Sequence, residues 1–252
     1  MSPAARRVAR TIAEGRHFHV EVEASTLVRV TSHPGGEPYF GRKGRHRFDA
    51  PGLKPASGVT YCAPILPTAF AESVLHVDRR FDTKRNCWVV SRAGVIDASW
   101  VVDLQRPHAP RLQLFPLCGD LLTTMNIGNI VSAGRDYRTT REIAAVIHND
   151  DATADGILYV SYRHNLRLAV ALFERSGVTT LQAPGAYVPL SAHPDYRAAL
   201  DAFDVVVVCC TAPIRTAATS TCWLTLCPER PCSTLAVCNS NSKTCSAWAS
   251  TC

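Results

Sequence analysis

Three observations predict an α+β fold for the chain. Short apolar runs of strand length, Thr26 to Ser32, Gly156 to Val160 and Asp204 to Val208, are set between turn-forming residues. Longer stretches with apolar residues at helical spacing, Pro67 to Val77 and Thr139 to His148, alternate with them. The last 44 residues then change composition abruptly, with 14 Ser/Thr and no Gly, Asp, Phe or Tyr. The expected organisation is a basic N-terminal arm over 1–23, one domain over 24–208, and a Cys/Ser/Thr-rich tail over 209–252 that is disordered or a non-native extension.

Each element has its own signal. Thr26 to Ser32 alternates like a strand, which puts Arg29 on one face with Leu27 and Thr31. His33 to Pro38 is turn-forming, and Arg42 to Pro55 is a basic loop punctuated by Gly and Pro. Gly58 to Ala63 reads as a short strand. Pro67 suits the first turn of a helix running to Val77, on which Glu72 and His76 would share a face. Cys87 to Arg92 and Ser99 to Leu104 read as strands. Thr139 with Glu142 three residues later forms a capping-box pattern for the helix to His148. Gly156 to Val160 is a buried strand ending at Ser161. Arg167 to Phe173 is buried but of ambiguous type, and Asp195 to Phe203 is a last helix.

Charge and cysteine usage narrow the functional classes. The formal net charge is +6, of which +5 falls in residues 1–47, where nine Lys/Arg face four Asp/Glu. A solvated basic arm, an anionic ligand site or an acidic partner all fit that asymmetry. Nucleic acid is not expected, because no basic stripe is interleaved with aromatics. No apolar run of about 18 residues is present, so no membrane span is expected. No apolar block follows the basic N-terminus, which points to the cytoplasm. Cys62, Cys87 and Cys118 are isolated and read as buried thiols. Eight of the eleven cysteines lie in the tail, but none forms Cys-x-x-Cys and no His accompanies them, so no metal site is expected.

The functional signal is a scattered polar set in apolar or turn-forming surroundings. Arg29 lies in a strand-like run, Arg47 in the Arg-Phe-Asp-Ala-Pro-Gly loop, Tyr61 in a short strand, Glu72 on a helix and Ser161 just past a buried strand. Charged groups there are costly to bury without partners. Taken singly, Arg29 could be a structural ion pair, Tyr61 a core residue, Glu72 a solvated helix residue and Ser161 a loop residue. Together they suggest one cleft for an anionic, aromatic ligand.

The same residues carry a family resemblance. Arg29-Val30-x-Ser32-His33-Pro34, Arg47-Phe48-Asp49-x-Pro51-Gly52, Val59-x-Tyr61 and Ala69-Phe70-x-Glu72-x-x-x-His76 resemble motifs of the RES domain family. So do Thr140-Arg141-Glu142-Ile143-Ala144, Asp155-Gly156-Ile157-Leu158-Tyr159-x-Ser161 and Ala171-Leu172-Phe173. The similarity covers about residues 24–208, and the Arg, Glu and Ser that name the family fall on Arg29, Glu72 and Ser161. The family loop commonly has Trp-Asn where this chain has Phe48-Asp49.

The resemblance implies a single domain of the ADP-ribosyltransferase type. It also implies a toxin of a type II toxin–antitoxin pair, neutralised by a helix-turn-helix antitoxin, in a homo-oligomer or a hetero-oligomer with that antitoxin. Its implied activity is as an NAD glycohydrolase or NAD phosphorylase, with NAD as substrate, inorganic phosphate as co-substrate in the second case, and no prosthetic group. Protein-directed ADP-ribosyl transfer, or inactive antitoxin binding, are the alternatives. In that chemistry Arg29 suits the pyrophosphate and Arg47 a second clamp. Tyr61 suits stacking on nicotinamide, Glu72 the ribose hydroxyls and cationic transition state, and Ser161 a phosphate or ribose oxygen. Arg42, Lys43 and Arg45 are candidates for holding inorganic phosphate.

Overall fold

The strand alternation read from the sequence is what builds the layers. The computed structural model describes residues 1–33, 35–50, 57–76, 80–128, 130–133, 137–180, 187–208, 235–237 and 246–248. In chain order these form α1 (Pro3–Ala13), β1 (Val20–Glu23), β2 (Val28–Thr31), β3 (Val59–Cys62), α2 (Leu66–Ser73), β4 (Phe81–Asp82), β5 (Cys87–Ser91), β6 (Trp100–Gln105) and β7 (Arg111–Leu117). They continue with α3 (Asp120–Thr124), α4 (Ile130–Ala133), α5 (Arg138–Asp150), β8 (Gly156–Val160), β9 (Leu168–Phe173), β10 (Thr179–Thr180), β11 (Tyr187–Pro189), α6 (Tyr196–Asp201) and β12 (Val205–Val208). Two short strands, β13 (Leu235–Val237) and β14 (Ser246–Trp248), pair antiparallel in the tail. The eight tail cysteines lie outside the described residues, as do Pro51, Gly52 and Val77.

Five strands form the central sheet in the order β1-β7-β8-β9-β3. Its period-2 pattern divides the core. From β8 and β9, Ile157, Tyr159, Ala169, Ala171 and Phe173 point to one side and pack with Ala5 and Val8 of α1 and Ile143, Ala144 and Ile147 of α5. Leu158, Val170 and Leu172 point to the other side and pack with Leu27 and Leu104 beside the second sheet, in which β6 pairs with β2, β10 and β11. A third cluster joins α2, α6 and the parallel pair β5–β12. Gly156 is required where β8 meets β9: a Cβ there would lie 2.4 Å from the Ala171 carbonyl oxygen. The preceding Asp155 carboxylate accepts hydrogen bonds from Arg106 Nη1 and the Gln113 amide, both at 2.9 Å, and ties β8 to β7.

Several expectations need correction. The basic N-terminus is not simply a solvated arm. Residues 3–13 form α1, capped by Ser2, with Ala5, Val8 and Thr11 buried against α5, while its arginines face outward. Thr139 is not an N-cap. It sits inside α5, which starts one residue earlier, and Glu142 accepts a short hydrogen bond from the Ser2 amide instead of closing a capping box. Helix α2 ends at Ser73, and the Val74 carbonyl receives the Arg80 guanidinium. His76 therefore lies beyond the helix and shares no helical face with Glu72. The ambiguous segment at 167–173 is the strand β9, with five of its six residues buried.

Candidate functional site

The site lies where β8 ends, β9 begins, and β3 passes into α2. Ser161 follows the last residue of β8 and is buried. Its hydroxyl donates to Glu72 Oε1 at 2.5 Å and accepts the His164 amide at 2.9 Å. Glu72 arrives on α2, whose short connection from β3 leaves little freedom of placement. Thr68 stands one turn earlier on that helix, fully buried, with its Oγ1 2.9 Å from His164 Nδ1. The His164 ring meets Phe203 edge-on at 4.9 Å. Two hydrogen bonds thus fasten the loop after β8 to the α2 face that carries Glu72.

Arg29 is held from the other side. Its Nε donates to Glu37 Oε2 at 2.7 Å and its Nη1 to the Tyr61 carbonyl at 3.0 Å. The Glu37 side chain is fully buried and that of Arg29 is 15% exposed, so this is an interior ion pair. Glu37 Oε2 also accepts the Tyr39 amide at 2.8 Å. A guanidinium carries five N–H groups, and these contacts use two of them.

Tyr61 belongs to the loop as much as to its strand. Its hydroxyl donates to Asp49 Oδ1 at 3.1 Å and accepts the Phe48 amide at 2.9 Å. Asp49 Oδ2 accepts the Arg45 and His46 amides. Burial holds the Tyr61 phenol well above its ordinary range, and the Asp49 charge adds to the shift. The ring lies 5.6 Å from that of His46, which in turn is 6.2 Å from His76. Burial likewise raises the Tyr159 phenol, with Glu72 and Tyr61 pushing in the same direction and Arg47 opposing. Tyr159 thus stands within electrostatic reach of both halves of the site.

Arg47 is buried. Its Nη1 donates to the Val131 carbonyl at 2.8 Å, and its guanidinium lies 4.9 Å from the Tyr137 ring centroid. Arg42, Lys43 and Arg45 are exposed, and Arg42 pairs with Glu174. The structure therefore joins Ser161 to Glu72 and Arg29 to the Tyr61 carbonyl at these strand ends, while Arg47 is committed to Val131 and Tyr137.

Sequence reasoning missed Glu37, Asp49, His46, Thr68, Tyr159 and His164. Two had a readable signal: Thr68 is four residues before Glu72 on a helix, and His164 follows Ser161 by three. His46 looks outward, yet crowding by its neighbours lowers its pKa; His76, Arg29 and Arg141 lower it further and Asp49 opposes. Desolvation also lowers His164, with help from Arg167. A cavity lined by Phe48, Val59, Ala144, His148 and Phe173 contains none of the four expected catalytic residues. Among the described residues, metal-ligating spacing occurs at His17, His19 and Asp151.

Comparison with known proteins agrees with the motif reading. The RES domain matches residues 26–195. No curated protein sequence matches the chain. One solved structure similar to it is the M. tuberculosis MbcT–MbcA toxin–antitoxin complex, at 12% identity and a TM-score of 0.46, covering 72% of this chain and 91% of the matched one. With most of its length matched, the chain belongs to the RES domain family.

Proposed function

Since the chain is a RES domain protein, we propose that it is the toxin of a toxin–antitoxin pair and that it degrades NAD at the nicotinamide–ribose bond. The observation that carries this reading is the Ser161–Glu72 hydrogen bond, which joins two of the family's three naming residues across 89 positions of sequence. Arg29, the third, is held beside the same strand ends through the Tyr61 carbonyl.

The chemistry follows from the substrate. The nicotinamide ring of NAD is already cationic, so it departs as a neutral molecule without prior protonation. The C–N electron pair leaves with it, and positive charge develops on the ribose. A carboxylate fixed before the reaction stabilises that charge at no reorganisation cost. Ser161 fixes one oxygen of Glu72 and leaves the other for the ribose hydroxyls. In hydrolysis, a water oxygen bonds to the ribose carbon and one proton goes to solvent. In phosphorolysis, a phosphate oxygen takes the place of water. Arg29 can direct its uncommitted N–H groups to the pyrophosphate while Glu37 sets its orientation. The ring of Tyr61 is the surface for nicotinamide. An antitoxin that covers these strand ends would exclude NAD.

Incubating the purified chain with NAD, with and without inorganic phosphate, tests the proposal. Free nicotinamide with ADP-ribose supports hydrolysis, and the phosphorylated sugar product supports phosphorolysis. ADP-ribose on protein would replace this reading with a transferase. Intact NAD under all conditions would reduce the chain to an antitoxin-binding protein.

A further inference from the structure

The segment before β1 and the turn after α5 place three metal-ligating side chains together. His17 and His19 stand two residues apart just before β1, and their rings meet edge-on with centroids 5.3 Å apart. Asp151 caps the C-terminus of α5, 132 residues after His19. The Asp151 Oδ2 atom lies 2.7 Å from His19 Nε2 and 3.4 Å from His17 Nε2. The ligand atoms of all three residues lie within 4.8 Å of one another.

The carboxylate is divided between two tasks. Oδ1 accepts the Thr153 amide, the Thr153 hydroxyl and the Ala154 amide, which fixes the plane of the group. Oδ2 is left to face both imidazoles. Arg175 donates to the Asp151 and Ala154 carbonyls and holds the turn itself. The His17 ring stacks on Phe115 at 5.7 Å, and its Nδ1 is buried without a partner, so the polar contact of that ring runs through Nε2. The Thr153 and Ala154 groups on Oδ1 are outer partners of the kind that orient a carboxylate ligand, while His17 is oriented by its stacking on Phe115.

We propose that His17, His19 and Asp151 bind a divalent transition-metal cation, zinc by preference, with water completing the coordination. Two imidazoles and a carboxylate are a borderline donor set suited to zinc. Bonds of about 2.0–2.2 Å in a tetrahedron put ligand atoms roughly 3.3–3.5 Å apart. The His17–Asp151 edge already has that length, and the His19–Asp151 edge needs to open by about 0.6 Å. The histidine side chains are 17% and 18% exposed, which leaves a side open for water. The site stands at the start of β8, about 17 Å along the strand from Ser161. Its ion would clamp the α1–β1 connection onto the α5–β8 turn, making the site a stabilising one that does not touch the candidate catalytic residues.

The test uses the full chain, stripped with a chelator and with accessible cysteines alkylated so that tail thiols do not compete. Zinc at a hundredfold excess over its Kd should raise Tm by about 5–10 °C, with one equivalent bound. It should also shift the imidazole nitrogen resonances of His17 and His19. His19→Gln keeps a donor toward Asp151 but offers a poor ligand, so it should fold and lose the zinc-dependent rise. An equal rise in His19→Gln, or unmoved His17 and His19 resonances in the wild-type chain, overturns the proposal. The resonance measurement decides the matter even where a variant fails to fold.

Discussion

Arg29 and Glu72 occupy two sides of the same site but are held by different means. Arg29 is embedded in an interior ion pair, with Glu37 fully buried beside it. Glu72 stands half-buried on a helix and receives a hydroxyl from Ser161. Removing a partner leaves an uncompensated charge in the first case and only a lost hydrogen bond in the second. The difference teaches that Arg29 supports the fold besides the ligand role proposed for it, whereas Glu72 carries no comparable structural load beside its proposed chemistry.

Arg29→Ala is the strongest way to break that comparison. It strands the Glu37 carboxylate in the interior, and the expected loss of stability is about 3–5 kcal/mol, read from urea unfolding. The double variant Arg29→Ala with Glu37→Gln should recover part of the loss. Wild-type stability in Arg29→Ala would remove the structural half of its role. Glu72→Gln should behave in the opposite way. Its unfolding midpoint should stay close to wild type, while NAD cleavage falls on the order of 10²–10³-fold, the effect of losing one preorganised electrostatic group. Nicotinamide release at the wild-type rate by this variant would end the assignment of Glu72.

These roles were only partly legible in the sequence. The strand at Gly156 to Val160, its end at Ser161 and the helix carrying Glu72 could be read because each is a local pattern of apolar spacing. The Glu37 partner of Arg29 could not, since it lies in a turn-rich segment with no periodicity to place it. The capping box at Thr139 and Glu142 failed for a tertiary reason: α1 packs on α5 and brings the Ser2 amide to the Glu142 carboxylate. Arg47 read as a loop cation but is buried, because Val131 and Tyr137, from the far side of the chain's middle, close over it. His17, His19 and Asp151 were invisible as a group, since only the fold brings them together.

A smaller effect sharpens the Glu72 side. Thr68→Val removes the hydroxyl that meets His164 and preserves side-chain shape. A loss of about 1 kcal/mol is expected, together with a severalfold slower cleavage if the loop that positions Ser161 loosens. Unchanged values of both would show that Ser161 is placed by the β8–β9 strand ends alone.

The smallest effect separates the two sides by titration. His46, beside the Arg29–Tyr61 half, and His164, beside the Glu72 half, both have folded pKa values below the ordinary 6.5, chiefly because desolvation disfavours the cation. The sign follows from linkage: the unfolded chain binds these protons more readily than the folded one. Their contribution to stability is present in full above about pH 6.5 and is lost as pH falls through the lowered folded values. Unfolding midpoints should therefore drop in mildly acidic buffer, and His46→Gln and His164→Gln should each flatten part of that drop. If only His46→Gln flattens it, acid acts through the loop half. If neither does, the two histidines titrate alike in folded and unfolded chains, and the crowding described around them has no energetic consequence.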